Sequence, residues 1–307
     1  MLRRLALRAS REPGLRKLAM STPGFRDLAW RLVAGEDLEA GLTAVLALNG
    51  HGIEGTINAL GFHVVDEAEA RAGMDNAIEA LRRIRAAGLR SHVSVKLTGI
   101  GLEIDEDLCR KQLARILDCA RETGCFVRID MEESPFVETT MRIYREMAER
   151  YGDQTVGIVI QSYLRNPPYD LLDLAERGAS IRLVKGGYRE SDVVVLRERR
   201  EVDAAFQRDI EILLRHATNP AIATHDPESV AWTVAIQRDA RLPVSAFEFQ
   251  LLYGVRTDLQ LVLVRSGYRV RSYVPYGGMW LNWLLLTVHA AWHVFSGRLR
   301  QLGGGRG

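Results

Sequence analysis

The feature that most constrains the fold of this chain is a regular alternation of short β-rich runs with longer helical stretches. The helical stretches carry apolar residues at three- and four-residue spacing, with Arg and Glu between them. The predicted strands are Glu54–Leu60, His92–Leu97, Phe126–Met131, Val156–Tyr163, Ile181–Lys185, Ala221–Thr224, Phe247–Leu251 and Arg269–Val274. Eight consecutive βα units predict an α/β fold in which a parallel sheet closes into a (βα)8 barrel of the TIM type.

The length of 307 residues is suited to one such barrel with short extensions. We divide the chain into a basic helical segment over residues 1–37, a barrel over residues 38–297, and a Gly-rich tail over residues 298–307 that we expect to be disordered. Apolar residues make up 47% and charged residues 26% of the chain, and no apolar run is long enough to cross a bilayer. These values are typical of a soluble globular protein.

Charge is distributed unevenly along the chain. The net charge of +2 provides no general attraction for nucleic acid, so we expect no such partner. The first seventeen residues contain one acid, Glu12, and a set of bases, namely Arg3, Arg4, Arg8, Arg11, Arg16 and Lys17. Such a segment is consistent with peripheral contact to an anionic membrane and equally with a solvated helix face.

The cysteines indicate a reducing compartment. Cys109, Cys119 and Cys125 are odd in number and lack CxxC spacing, which argues against a disulfide framework or a zinc site. We therefore expect a cytoplasmic protein in which these residues are small members of the core. His289 and His293 lie one helical turn apart but have no carboxylate beside them, so we predict no metal site.

Two of the four lysines, Lys96 and Lys185, stand at the ends of otherwise apolar predicted strands. An ammonium group inside a barrel loses hydration and needs either a charged partner or a function. A structural salt bridge and a role in a site both satisfy that requirement, and the sequence leaves the two interpretations open.

Further polar residues occur at the ends of other predicted strands, namely Asp130, Gln161, Arg182, Thr224 and His225. In a barrel these ends meet at one mouth, where they suit a large polar ligand with hydrogen-bonding edges and phosphates. The Gly186–Gly187 pair allows backbone amides to approach an anion, and no GxGxxG motif follows the first strand. Taken singly, His225 is as well explained as a structural histidine, and Asp226 as a helix cap.

At these positions the chain resembles the flavin-dependent proline dehydrogenases in their compact monofunctional bacterial form, from about Leu42 to Trp280. The matching motifs are Ser-Val-Lys-Leu-Thr at 94–98, Arg-Ile-Asp-Met-Glu-Glu-Ser at 128–134, Arg-Leu-Val-Lys-Gly-Gly-Tyr-Arg-Glu at 182–190, Ala-Thr-His-Asp at 223–226, Phe-Glu-Phe-Gln-Leu-Leu-Tyr-Gly-Val-Arg at 247–256 and Tyr-Val-Pro-Tyr-Gly at 273–277. The resemblance implies a distorted barrel with its last helix over the mouth and FAD bound noncovalently across the strand ends.

The resemblance also implies roles for individual residues. Arg182 is similar to the residue near flavin N5, and the other implied cofactor contacts are Met131 through its backbone, Gln161, Lys185, Gly186, Gly187, Thr224 and His225. Lys96 and Asp130 resemble the substrate-side pair and, with Arg182, are the implied catalytic residues, while Tyr188 and Tyr253 resemble walls of the substrate pocket. The implied chemistry is hydride transfer from the carbon beside an amine nitrogen to give an imine, with a quinone or oxygen as electron acceptor.

The last helix departs from the family pattern. After the Trp at position 280 the family has Tyr-Pro-Tyr, two residues, Arg-Arg, and a Glu three positions on. Here the second Tyr, the two Arg and the Glu are replaced by Trp283, Leu286, Thr287 and Ala290. These positions share one helical face, and Phe62 stands where the family usually has a Glu that pairs with one of those arginines.

Because a pair of arginines grips a carboxylate through forked bonds, its loss predicts poor binding of free proline. We expect a more hydrophobic or carboxylate-masked amine, oxidised in a biosynthetic pathway, under an apolar lid formed by Trp280, Trp283, Leu285, Leu286 and Trp292. Trp280 and Leu285 are explained equally by packing of the helix. The alternatives are an ordinary proline dehydrogenase anchored by Arg189 or Arg256, a flavin-free enzyme with Lys96 or Lys185 as a Schiff base, and a non-catalytic flavin-binding protein.

Overall fold

The computed structural model describes residue 21, residues 23–61 and 63–281, and residues 283 and 284. Within them a parallel sheet closes into a barrel in which each strand pairs with its neighbours in chain order and the last strand pairs with the first. The strands are β1 (Glu54–Ala59), β2 (Ser91–Val95), β3 (Val127–Ile129), β4 (Val156–Gln161), β5 (Ile181–Val184), β6 (Ala221–Ala223), β7 (Glu248–Leu252) and β8 (Arg269–Tyr276). The predicted barrel and all eight predicted strands are confirmed.

Helices surround the barrel and lie between consecutive strands. The described helices are α1 (Pro23–Leu32), α2 (Leu38–Gly50), α3 (Glu67–Ala86), α4 (Glu106–Thr123), α5 (Ser134–Tyr151), α6 (Leu171–Glu176), α7 (Arg199–His216), α8 (Pro227–Asp239) and α9 (Thr257–Arg265), with a 3-10 turn at Leu97–Ile100. Five of them begin at an aspartate whose carboxylate accepts a hydrogen bond from the first helical turn, namely Asp37, Asp66, Asp105, Asp170 and Asp226. These caps fix where each helix starts relative to the preceding strand.

The two faces of the strands have opposite chemistry. Residues such as Ile57, Val93, Ile129 and Leu183 are buried and pack with the helices in one large hydrophobic cluster. Their neighbours in sequence alternate with them and point to the other side of the sheet, which is the inside of the barrel. The hydrophobic core therefore lies between the sheet and the helices.

The inside of the barrel is polar and contains buried charges. Arg271 is 2% exposed and forms hydrogen bonds through Nε and Nη2 with both oxygens of Glu248, at 2.9 and 3.1 Å, and it also contacts Glu54. The guanidinium of Arg128, likewise buried, donates to the carbonyl oxygen of Ile158 at 3.1 Å. Because a buried charge is costly unless it is paired, these contacts are needed to stabilise the closed barrel.

A second, smaller cluster joins the two ends of the described chain. Trp280 is fully buried, its ring centroid lies 5.5 Å from that of Trp30 in α1, and its indole nitrogen donates to Glu36 at 3.1 Å. Leu281 and Leu284 are buried in the same cluster. Trp280 therefore packs the last helix onto the rest of the molecule, which is the packing alternative and not a lid contact.

The boundaries of the three predicted segments stay predictions, since residues 1–20 and 285–307 lie outside the described part of the chain. Cys109 and Cys119 are buried on α4, as expected, and Cys125 is half-buried. Among the described helices, none combines the length and the hydropathy required to cross a membrane.

Replacing Glu248 with Gln tests the dependence of the barrel on its buried charges. Glu248→Gln removes the charge that neutralises Arg271, and losing one partner of a buried pair costs about 3 to 5 kcal/mol in the free energy of unfolding. Glu211→Gln removes a carboxylate from the exposed pair with Arg215 and serves as the matched control. Chemical denaturation should show a large loss for the first variant and almost none for the second, and equal losses would contradict the assigned role.

Candidate active site

Four strands bring polar groups to the carboxylate of Asp130, which directly follows β3. Its Oδ2 accepts hydrogen bonds from Lys96 Nζ and from the Tyr273 hydroxyl, both at 2.7 Å. Its Oδ1 accepts from the Ser94 hydroxyl at 2.5 Å and from Arg182 Nη1 at 3.0 Å. Because these residues come from β2, β5 and β8 as well as β3, they meet only inside the mouth of the barrel. The predicted convergence of Lys96, Asp130 and Arg182 is confirmed by this geometry.

The charges in this group support one another. Burial opposes ionisation of Asp130, but Lys96 and Arg182 outweigh it and lower the pKa of the carboxyl group to about 2. Burial likewise opposes protonation of Lys96, yet the Asp130 carboxylate raises the pKa of the ammonium group well above its usual value. One carboxylate is thus shared by two cations, and the Glu132 carboxyl also lies near Lys96.

Several buried polar atoms near the mouth are left without partners among the described residues. Arg182 is 5% exposed, and its Nε and Nη2 atoms have no hydrogen-bond partner there, nor does the side-chain oxygen of Gln161. The guanidinium carbon of Arg182 lies 5.3 Å from the centroid of the Tyr273 ring. Two donors and one acceptor are therefore available to a ligand at the predicted cofactor position.

The two glycines after β5 differ in what their surroundings allow. Gly186 has a φ of +109°, and a Cβ atom there would lie 2.4 Å from the ring of Tyr163. Gly187 is exposed, and a Cβ atom there would meet no atom within 4 Å. The protein fold itself requires glycine at 186, whereas at 187 only an approaching ligand would require it.

Lys185, which follows β5, is held by two carboxylates. Its Nζ lies 2.6 Å from Asp203 on α7 and 2.9 Å from Asp226 at the start of α8. The structure thus shows the salt bridge that was one of the two interpretations of this lysine. Its contact with a cofactor stays a prediction.

Two hydrogen bonds order the segment that follows β6. The Thr224 hydroxyl accepts from the backbone N–H of Asp226 at 3.1 Å, and His225 Nε2 accepts from the N–H of Leu252 at 2.8 Å. Burial, and then the nearby Arg256, lower the pKa of His225 to about 4, so the ring is neutral. Asp226 caps α8, as its alternative interpretation predicted.

The remaining predicted site residues lie at the same end of the barrel or outside the described chain. Met131 is buried at the end of β3, and Tyr188 and Tyr253 are half-buried after β5 and β7. Trp283 is half-buried beside the Trp280 cluster. Four positions that define the departure from the family pattern lie outside the described residues, namely Phe62, Leu286, Thr287 and Ala290.

A histidine on the loop after β1 makes contacts that the sequence did not reveal. His63 Nδ1 contacts Glu103, and its Nε2 lies 3.7 Å from Glu133. Burial opposes protonation, but Glu133 and Glu103 raise the pKa of His63 above its usual value. This ion-pair group ties the loop after β1 to the ends of β2 and β3. Glu132 lies beside it and accepts from the Thr98 hydroxyl at 2.6 Å.

Two members of the Asp130 group were also missed, namely Tyr273 and Ser94. The alternation of inward and outward residues along the strands indicates where both side chains lie. Ser94 lies two residues before Lys96, and Tyr273 lies two residues after Arg271, so each shares the inward face with a residue whose charge marks that face. Applying strand parity to every predicted strand would have placed both in the mouth.

The neutral state of His225 predicts how stability depends on pH. The folded pKa of about 4 lies below the ordinary value of 6.5, so the unfolded chain binds a proton first as the pH falls. The stabilisation is therefore complete above pH 6.5 and is lost as the pH falls towards 4, by about 2 to 3 kcal/mol. In His225→Gln the amide oxygen can accept the Leu252 N–H without titrating. Denaturation between pH 7 and pH 4.5 should show a steeper loss for the natural protein, and parallel curves would contradict the assignment.

Comparison with known sequences identifies the family. A family model for proline dehydrogenase matches residues 42–281. Proline dehydrogenase 1 of Bacillus subtilis (strain 168) is 37% identical over 288 residues, which cover 94% of each chain. The proline dehydrogenase of Deinococcus radiodurans is 35% identical over 283 residues, or 91% of each chain.

Comparison with solved structures supports the same assignment. The crystal structure of proline utilization A from Bdellovibrio bacteriovorus, inactivated by N-propargylglycine, matches 91% of this chain with a TM-score of 0.81 and 25% identity. The chain spans 34% of that longer protein. With its barrel, its Asp130 group and these matches taken together, the chain belongs to the proline dehydrogenase family, whose members are FAD-dependent oxidoreductases acting on CH–NH groups.

Proposed function

We propose that this protein binds FAD and oxidises a proline-like cyclic or secondary amine, which lacks a free carboxylate or is more hydrophobic than proline, to the corresponding imine. The observation that carries the proposal is the group of Lys96, Asp130 and Arg182 at the mouth of a barrel of the proline dehydrogenase family. The group places two cations, both paired with one carboxylate, at the proposed substrate position.

The described residues fit the flavin. The unpartnered Nε and Nη2 of Arg182 suit acceptor atoms of an isoalloxazine ring, and the unpartnered oxygen of Gln161 suits a ring N–H. The open space at Gly187 allows close approach of a ligand to the backbone. We assign the remaining cofactor contacts to Met131, Lys185, Gly186, Thr224 and His225, and a bound flavin would supply the hydride acceptor.

The charges of the chain select the protonation state of the substrate. Lys96 and Arg182 are two cations that disfavour an ammonium ion placed beside them, and Asp130 and the nearby Glu132 offset part of that effect. A neutral amine is the form that can lose hydride, since a cationic nitrogen would destabilise the positive charge developing on the adjacent carbon. The cluster therefore orients the substrate and lowers the pKa of its nitrogen.

We infer the class of substrate from the two arginines that the family pattern has and this chain lacks. Leu286 and Thr287 replace the two arginines of the family pattern, which removes the forked grip on a carboxylate.

Ordinary proline oxidation is the second candidate, and the 37% identity to a proline dehydrogenase favours it. It requires another anchor for the carboxylate. Arg256 was one candidate, but its Nε and Nη2 both bind Asp258, at 3.0 and 2.9 Å. Arg189 is exposed after β5 and is the remaining candidate of the two.

Anaerobic reduction of the FAD-loaded protein distinguishes the two candidates. We expect proline amide, proline esters and substituted pyrrolidines to bleach the flavin at lower concentration than proline does. The losses expected from two missing charge-assisted bonds predict a half-saturating proline concentration at least about a hundredfold higher. Rapid bleaching by proline alone would overturn the proposed substrate, and the absence of bleaching by every amine would overturn the enzymatic role.

Two sets of variants sharpen this measurement. Leu286→Arg with Thr287→Arg restores the family pattern and should raise proline turnover, while Arg189→Ala should leave the preferred substrate unaffected. A large loss of proline turnover in Arg189→Ala would instead favour the ordinary reaction with a displaced anchor.

Replacing Gly187 with Ala tests the proposed cofactor position separately. A Cβ atom at 187 meets nothing within 4 Å in the protein, so we expect the thermal midpoint of the cofactor-free protein to stay unchanged. If flavin approaches the backbone there, the Kd for FAD should rise on the order of tenfold, which flavin fluorescence measures directly. Gly50 is the matched control, because it is exposed, a Cβ atom there also meets nothing within 4 Å, and it lies on distant α2. Equal FAD affinity in Gly187→Ala and Gly50→Ala would contradict the placement.

A further inference from the structure

The segment between β5 and α7 begins at the mouth of the barrel and carries Gly186, Gly187 and Tyr188. Its distal half is tied to the end of β4 by backbone contacts: Leu164 bridges Val195, Arg165 N–H donates to Val194 at 3.0 Å, and Leu196 N–H donates to Tyr163 at 2.8 Å. These contacts order the part of the segment that lies farther from the site. The proximal half, which carries the predicted ligand contacts, needs a separate attachment.

Glu190 provides that attachment. Its Oε1 accepts from the backbone N–H of Ser134 at 2.6 Å, and its Oε2 accepts from the Ser134 hydroxyl at 2.8 Å. Its own carbonyl oxygen accepts from Arg197 Nη2 at 2.9 Å. Both oxygens of the Glu190 carboxylate therefore bind one residue, Ser134, which lies 56 positions earlier in the chain.

Ser134 is the first residue of α5, and the local sequence does not cap that helix. The N-cap residue, Glu133, makes no side-chain cap hydrogen bond. An acceptor for the exposed N–H groups at a helix start is normally local and carries a favourable interaction with the helix dipole. Here Glu190 supplies a negatively charged acceptor from another βα unit.

The position of Ser134 gives the contact a consequence for the site. Ser134 lies four residues after Asp130 and three after Met131, while Glu190 lies two residues after Tyr188 and three after Gly187. The contact passes over the end of β4 and links the ends of β3 and β5. It therefore fixes the separation between the Asp130 group and the glycines at the predicted cofactor position.

We propose that Glu190 is a positioning residue: its carboxylate clamps the segment carrying Gly186, Gly187 and Tyr188 to the start of α5, and so holds the cofactor and substrate walls in register. The inference rests on the proposed function for its catalytic consequence. Without the clamp the proximal segment samples more conformations, and ligand binding must order it each time. We therefore expect the affinity for cofactor and substrate to fall more than the turnover rate of the complex once it has formed.

The first test uses the cofactor-free protein and is independent of any activity. Exposed Arg189 offers a trypsin site next to the clamp, and hydrogen exchange reports on residues 186–197. We expect Glu190→Ala to accelerate both cleavage and exchange in this segment on the order of tenfold, with the thermal midpoint nearly unchanged. The matched control is Glu198→Ala, which removes an exposed carboxylate from the same segment that caps nothing. Equal rates in the natural protein and Glu190→Ala would overturn the clamp.

The second test uses the loaded enzyme. Glu190→Ala should raise the Kd for FAD and the KM for the amine on the order of tenfold while kcat changes less. Glu190→Gln should recover most of the effect, because its amide oxygen accepts the Ser134 N–H and its amide group reaches the hydroxyl. Ser134→Ala should add little in the Glu190→Ala background. A fall in kcat alone, or no rescue by Gln, would overturn a positioning role.

These outcomes separate the clamp from the proposed function. If the natural protein binds FAD but oxidises no amine, the exchange and FAD-affinity measurements still decide the role of Glu190. If Glu190→Ala fails to fold, Ser134→Ala alone removes one of the two bonds and should give a smaller acceleration of exchange in the same segment. Unchanged exchange in that variant would count against the clamp.

Discussion

The charge on Asp130 is the constraint on which the rest of the site depends. Lys96 is a partly buried cation and Arg182 a buried one, and each is held by one oxygen of this carboxylate, while Tyr273 and Ser94 complete its hydrogen bonds. Without that charge, two cations would face each other in a medium that screens them poorly, and both would have to move or lose protons. Because the four donors come from strands on different sides of the barrel, the carboxylate also fixes the shape of the mouth.

Residues alternate along each strand between the outward face, which stabilises the fold, and the inward face, which carries the polar groups of the site. Outward residues form the hydrophobic cluster with the helices, so the inward positions are free to carry charge. A cation inside the barrel nevertheless needs an acceptor beside it. Below the site Glu248 pairs with Arg271, and at the mouth Asp130 pairs with Lys96. The inward pattern of polar residues is thus one continuous electrostatic arrangement, in which each buried cation has an acceptor from another strand.

Much of this was predictable from the sequence, for reasons that differ between residues. The eight strands were found because apolar runs in a parallel sheet contrast with amphipathic helices, and Lys96, Asp130 and Arg182 were found because charge is rare in such runs. Partners supplied by helices and by the segments between strands and helices could not be found in this way. Asp203 reaches Lys185 from α7, and Glu190 reaches Ser134 across a strand, and both contacts depend on loop geometry that periodicity does not encode.

The same electrostatic arrangement restricts what the site can bind. A substrate carboxylate placed beside Lys96 and Arg182 would bring a second negative charge next to Asp130, and it would compete with Asp130 for cations that are already shared. Lys185 is engaged by Asp203 and Asp226, and it offers no surplus charge. In a family member with an additional arginine pair, that pair would carry the carboxylate and leave the Asp130 group intact. On the proposed alignment Leu286 and Thr287 stand at those positions in this chain, and the proposed substrate therefore carries a neutral substituent, which costs less to bind there than an anion.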